Sequence, residues 1–409
     1  MTDTELAFDP LDPLQRADPY PTYARLRSER PVYYAPQYDL WVVTRYEDVQ
    51  RVLKEDETFS SRVALHSTPH RPAPEVLDIL AEGWPNMPII VESDPPVHTR
   101  IRRPISRAFT PRRIAEMEPR IRAIAEELLD AVAGKGEADV VDRFAWPLPL
   151  RVIGELVGVP EEDLPWLHAR SRDWLATYQA TAPLEEQLEQ ARGFVEFQRY
   201  FVDLVHERAR SPQDDLTSAL VQAVADDEEP IGLVELAGVP LDLVVAGHVT
   251  VTRAIGSALV LLLDLPGELE RLRNEPEHWP GTVEEILRLE SPAQGLFRET
   301  TRDVELGEVL LPAGARLMVH FGSANRDEDV FADPDRYDPS RDRNLHVAFG
   351  KGIHVCIGAP LARLELQIAL PMLVERLRGL RRADDEPLAF DPVFFARGLA
   401  SLRVAWDVE

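Results

Sequence analysis

Phe349-Gly350-Lys351-Gly352-Ile353-His354-Val355-Cys356-Ile357-Gly358 decides how this chain is read, because it places the only cysteine of the sequence among three glycines and behind an aromatic residue. A metal-bound thiolate at a loop-to-helix junction has definite needs. Glycines let backbone bend close to a flat ligand. Backbone N–H groups and the positive end of a following helix stabilise the sulfur's negative charge. An aromatic ring shields the sulfur from water. Gly350, Gly352, Gly358 and Phe349 supply these parts, Ala359-Pro-Leu-Ala-Arg-Leu-Glu365 follows, and a long helix is expected from near Ile357 to about Leu377. The competing reading is an inert cysteine buried in a glycine-bearing turn, since free cysteine is among the most buried residue types.

A single cysteine excludes an intrachain disulfide and any multi-cysteine zinc or iron–sulfur site, and a reducing cytoplasm is its natural setting. The balance of 45 basic against 71 acidic residues, a formal charge of −26, argues against general nucleic-acid binding, which calls for a basic face. At 44% hydrophobic residues the chain can bury a substantial core. The first residues are polar, acidic and proline-bearing, unlike a signal peptide. The most apolar run, Ala258 to Leu263, is closed by Asp264, short of the roughly 20 residues of a membrane span.

Outward from the cysteine, most segments read helical. Pro31–Tyr34 and Leu40–Thr44 read as short strands around a turn at Pro36–Asp39. Thr110-Pro111 is an N-cap pair opening a helix over 114–133. Helices are expected over 160–179, 184–210, 213–225, 232–265, 267–275 and 280–290. Of these, 232–265 is the longest, and its second half is apolar on nearly every face, so it belongs in the core. Strands are expected at 301–306, 315–320 and 394–406, and 325–345 is a polar, irregular meander. The 409 residues show no repeat and no obvious linker, so either two domains or one large fold is possible, and the balance is mainly α with minor β.

The run around Cys356 resembles the haem-binding loop of the cytochrome P-450 family, Phe-Gly-x-Gly-x-His-x-Cys-x-Gly, at every specified position. The likeness extends along the chain. Glu285-Ile-Leu-Arg288 is similar to the family's Glu-x-x-Arg helix motif, and the meander Phe331–Arg341 matches, with Arg341 as third member of that ion network. The resemblance implies the cytochrome P-450 fold over 1–409, with haem b between a long central helix and the Cys-bearing loop and Cys356 as axial iron ligand. It implies that His98, Arg102, Arg298 and His354 bind the haem propionates; His98 and Arg102 also share one helix face at i, i+4. On the long helix, Ala246-Gly-His-Val-Thr250 is similar to the family's Ala-Gly-x-acid-Thr. There Ala246 and Gly247 leave room over the iron, and Thr250 orients dioxygen.

This sequence departs from the pattern at Val249, where the family has an acid. Valine carries no proton. Water, His248 or a substrate group can replace the relay, or the enzyme uses a peroxide route or does not activate dioxygen. The implied function is a monooxygenase that oxidises a hydrophobic small molecule with dioxygen. Electrons would come from a separate ferredoxin and ferredoxin reductase, docking near Arg102, Arg103, Arg112, Arg113 and Lys351, with no nucleic acid, no membrane and a cytoplasmic location. The alternatives are a haem-thiolate peroxygenase or nitric-oxide reductase and a non-catalytic gas-binding haem protein. The residues expected to line the pocket are Met87–Glu92, Leu243–Thr250, Gln294–Phe297 and Val393–Phe395.

Overall fold

The computed structural model describes residues 6–66, 72–84, 87–177, 182–227 and 229–408. Positions 178 and 179, which the expected helix over 160–179 includes, lie outside the described residues. The chain forms two compact units. One comprises 1–60, 118–148 and 250–409, and the other comprises 61–117 and 149–249.

The first unit holds the β-structure. Its main sheet has five strands in the order Val32–Ala35, Leu40–Val43, Arg316–His320, Gly295–Thr300 and Phe59–Ser60. Leu40–Val43 runs parallel to Arg316–His320, and the other pairings are antiparallel. Val43, Val49, Val52, Phe59, Leu317 and Val319 form one buried cluster, so the helix Tyr46–Lys54 is packed on this sheet by alternate strand residues and one helix face. The strand Gly295–Thr300 is not expected from the sequence, because it is buried at Gly295, Phe297, Arg298 and Thr300 and so lacks a period-two pattern. The segment 394–406 is strand only at Arg403–Ala405, the rest being irregular apart from isolated bridges. The helix Ala359–Arg376 packs against Glu118–Ala133, Glu268–Asn274 and Trp279–Leu289.

The second unit is helical. Leu184–Arg210 pairs with Leu164–Thr177, Pro74–Leu80 and Leu216–Ala225, and Leu216–Ala225 also packs on Val97–Ala108. The expected helix over 114–133 is two helices, Pro111–Glu116 and Glu118–Ala133. Thr110 does cap the first, accepting from the Arg113 N–H. The break falls at Met117, where Pro119 lacks the N–H that would bond back one turn to Ala115.

The helix Leu233–Leu263 carries 31 residues with Pro240 inside it. By length and composition it could cross a membrane, contrary to the expectation that no stretch reaches that length. However, 67% of its most apolar 18-residue window is buried within the protein, as in a core helix.

Candidate functional site

Chain geometry fixes the loop that carries Cys356. Gly350 and Gly352 have φ of 69° and 70°, a left-handed backbone that side chains resist. A Cβ on Gly352 would lie 2.2 Å from the Leu53 carbonyl, so only glycine allows the loop to sit on the end of the helix Tyr46–Lys54. The Cys356 N–H donates to the Phe349 carbonyl at 2.9 Å and the Gly350 N–H to that of Val347 at 2.8 Å. The Val347 N–H donates in turn to Asn325 Oδ1. Gly358 sits at the N-cap of the helix Ala359–Arg376 with an ordinary φ of −79°. There a Cβ would only touch the Cys356 sulfur, at 3.8 Å.

Cys356 is exposed, which removes the reading of an inert buried cysteine. No group of three or more His, Cys, Asp or Glu residues able to hold a bare metal ion occurs among the described residues. A cysteine at a helix N-terminus would suit an iron whose other ligands come from a macrocycle and not from the chain. His354 ends the short 3-10 turn Gly352–His354 within this loop.

Three residues not anticipated as site residues brace the loop. The Arg363 guanidinium lies 4.5 Å over the Phe349 ring. It donates from Nε and Nη2 to Glu284 Oε1 and Oε2 at 2.6 and 2.8 Å, and Glu284 also faces His346 Nε2 at 3.0 Å. Its bonds to Glu284 hold Arg363 above the ordinary guanidinium range against the effect of burial, and the charge of Cys356 acts in the same sense. Burial pushes the Glu284 carboxyl upward, but Arg363 and His346 outweigh it and bring its pKa down to about 2. The sequence signal was the position of Arg363 two turns beyond Cys356. Its partner, 79 residues away in the chain, was not readable.

The Glu285–Arg288 pair is not a solvated surface pair: both side chains are completely buried. Arg288 Nε and Nη2 donate to Glu285 Oε2 and Oε1 at 2.8 and 2.7 Å. Arg341 Nε, the Asp338 N–H and Asn344 Nδ2 complete the carboxylate. The rest of the Arg288 fork donates to the carbonyls of Asn325, Pro334 and Arg336. The network thus ties the meander, including the expected third member Arg341, to the helix Trp279–Leu289. Burial raises the Glu285 carboxyl, and the Arg288 bonds and charge more than reverse it, leaving it below the ordinary carboxylate range.

On the long helix, Ala246 is exposed and Leu243, Gly247, Val249 and Thr250 are partly exposed, between buried neighbours. At 3.6 residues per turn, Asp242, Ala246, Val249 and Thr250 fall within about 100° of one another on the helix surface. Gly247 has a packing role: a Cβ there would lie 2.9 Å from Ile153 Cγ1, so the room expected from this glycine is taken up by a neighbouring helix, and Ala246 is the more exposed of the pair. His248 is buried. Its Nδ1 donates to the Val244 carbonyl at 2.6 Å, and its Nε2 lies 3.3 Å from Ser171 Oγ. It projects roughly 160° around the helix from Thr250. This orientation removes His248 as a replacement for the missing acid.

The remaining expected residues are placed on regular elements. His98 is buried and Arg102 partly buried on the helix Val97–Ala108, one turn apart. Arg298 is buried on the strand Gly295–Thr300, where its Nη1 donates to the Phe297 carbonyl at 2.7 Å. Of the cations expected to meet a redox partner, Arg103 pairs with Asp227 at 2.8 Å and Arg112 with Glu116 at 2.8 Å, so both charges are locally offset.

An exposed cysteine on a glycine-bent loop, ahead of an 18-residue helix, fits the ligand of a haem-thiolate protein. The cytochrome P450 family model matches residues 177–397. The chain is 39% identical over 398 residues to cytochrome P450 107B1 of Saccharopolyspora erythraea, covering 95% of each chain. It is also 39% identical to nocardicin C N-oxygenase of Nocardia uniformis subsp. tsuyamanensis, covering 99% of this chain and 100% of that one. The structure of cytochrome P450 CYP109Q5 from Chondromyces apiculatus superposes with a TM-score of 0.88 at 37% identity, covering 99% of both chains. The chain belongs to the cytochrome P450 family. It is a haem-dependent oxidoreductase of the monooxygenase type.

Proposed function

We propose that residues 1–409 act as one haem-thiolate domain in the cytoplasm. In this reading it oxidises a hydrophobic small molecule with dioxygen, taking electrons from a separate ferredoxin and ferredoxin reductase. The observation that carries this reading is the exposure of Cys356 on a loop shaped by Gly350 and Gly352 ahead of the helix Ala359–Arg376. Bound haem supplies reductive activation of dioxygen and transfer of one oxygen atom to the substrate, with thiolate electron donation favouring O–O cleavage.

The chain's own residues divide the remaining tasks. Cys356 ligates the iron, Phe349 excludes water from the sulfur, and Gly350 and Gly358 keep the backbone close to the macrocycle. His98, Arg102, Arg298 and His354 hold the propionates. Ala246 leaves space above the iron. Thr250 orients dioxygen and passes a proton at its hydroxyl, which reaches it from water or from a group on the substrate, since Val249 carries none and His248 is turned away. The mostly apolar residues of 87–92 and 243–250 suit a hydrophobic substrate. The relatives named as a 6-deoxyerythronolide B hydroxylase and a mycinamicin IV hydroxylase/epoxidase support a small molecule.

The test has two layers. Carbon monoxide on the reduced protein is expected to give the Soret band of thiolate ligation, and Cys356→Ser to abolish it. A folded wild-type protein without the band overturns the haem-thiolate reading. Product formation dependent on ferredoxin is then expected, whereas rapid NADH oxidation with nitric oxide and no partner protein overturns the monooxygenase reading.

A further inference from the structure

Asp242 is a carboxyl that the scaffold leaves half used. It is 8% exposed on the long helix. Its Oδ2 accepts from the Ile90 N–H at 3.1 Å, while its Oδ1 is buried and has no hydrogen-bond partner. Leaving such an oxygen unpaired costs about 1–3 kcal/mol, so the position is not explained by stability. The segment before Ile90 lies tightly on the same helix. A Cβ on Gly238 would sit 2.7 Å from the Pro88 carbonyl and 3.0 Å from Met87 Cγ. The carboxyl is therefore held between this segment and the helix rather than waving in solvent. Burial, with the charge of Glu92 adding to it, pushes its pKa well above the ordinary range against the Ile90 bond. Its charge is therefore disfavoured until a cation pairs with it.

Position separates Asp242 from Glu365, a second buried carboxyl with an unbonded oxygen among the described residues. Leu361 and Ala369, one turn to either side of Glu365, are buried. One turn beyond Asp242 on its own face is the exposed Ala246, and Thr250 follows one turn further. Asp242 borders the accessible face of the helix; Glu365 does not.

We propose that Asp242 selects the substrate, its Oδ1 receiving the protonated amine of a hydrophobic molecule whose oxidised position lies two helical turns away, beside Thr250. The eight residues from Asp242 to Thr250 correspond to about 12 Å along the axis. This spacing sets the distance between amine and reacting carbon, and it also prevents Asp242 from acting directly as the missing proton donor. The proposal rests on the monooxygenase reading of the same site.

The test titrates the haem-loaded wild type, Asp242→Asn and Asp242→Ser with three probes of equal chain length: N,N-dimethyldodecylamine, dodecanol and dodecanoate. Binding is read by the haem spin-state shift and independently by calorimetry. Wild type is expected to bind the amine about ten-fold tighter than the alcohol, as a charge-assisted bond to a desolvated carboxylate provides, with dodecanoate weakest. Both variants are expected to lose that preference while binding dodecanol as wild type does. Wild type binding the amine no tighter than dodecanol, or variants keeping the preference, overturns the proposal. The carbon monoxide band separates the two readings: its presence with no amine preference sinks only the role of Asp242, and its absence sinks the haem site.

Discussion

Glu285 and Asp242 are both buried carboxyls in this chain, and the fold treats them in opposite ways. Glu285 accepts five hydrogen bonds, from Arg288 twice, Asp338, Arg341 and Asn344. Asp242 accepts one, from Ile90, and keeps an oxygen without a partner. A carboxylate whose every acceptor is used holds elements in place and has nothing left for a ligand. A carboxyl that the chain buries but does not complete, on a helix face that solvent reaches one turn away, is available to something the chain does not contain. Satisfaction, together with position on an accessible helix face, separates scaffold from site here.

The largest expected effect tests the completed side of this contrast. Glu285→Gln leaves Arg288 and Arg341 without their counter-charge, Arg288 fully buried, and is expected to destabilise the protein by about 3–5 kcal/mol in denaturant unfolding. A loss below 1 kcal/mol would place the network with ordinary surface pairs and break the comparison.

Next come two pH dependences of opposite sign. The Glu284 pKa lies near 2, below its ordinary value, so its contribution to stability is complete above about pH 4.5 and is lost as pH falls toward 2. Glu284→Gln is expected to flatten that part of the acid unfolding profile. Asp242 is shifted upward, by burial first and by Glu92 second, so its ionisation costs stability as pH rises from about 4 toward its folded value. The advantage of Asp242→Asn over wild type, expected to reach about 1 kcal/mol, should therefore grow with pH in urea unfolding. A constant or shrinking difference contradicts an incompletely paired carboxyl.

The smallest effect concerns the accessible face itself. Val249→Glu places an acid beside Thr250 and is expected to change the fraction of electrons recovered in product about two-fold, roughly 0.4 kcal/mol. Unchanged coupling together with an unchanged solvent isotope effect would show that proton delivery does not depend on position 249.

Much of this molecule is legible in its sequence, for identifiable reasons. The helix over 184–210 matches the expected bounds because its apolar spacing is long and uninterrupted. The cysteine loop is legible because its glycines answer local needs that the sequence itself displays. The strand Gly295–Thr300 is not, since it is buried on both faces and carries Arg298 among its buried residues. The depth of the Glu285–Arg288 pair is not, because i, i+3 spacing fits a wet surface equally well. Asp242 escaped notice because the one group it binds, the Ile90 N–H, is 152 residues away.

The loop around Cys356 owes its shape to contacts with the Leu53 carbonyl, the Phe349 carbonyl and Asn325, all supplied by the polypeptide. The entropy of ordering that loop is thus met when the chain folds, and little of it is left to be met when the cofactor is captured. Haem affinity in this protein is consequently a property of the folded scaffold as much as of the iron–sulfur bond. Gly352→Ala, which forces a side chain against Leu53, should leave a folded protein that retains its cofactor poorly.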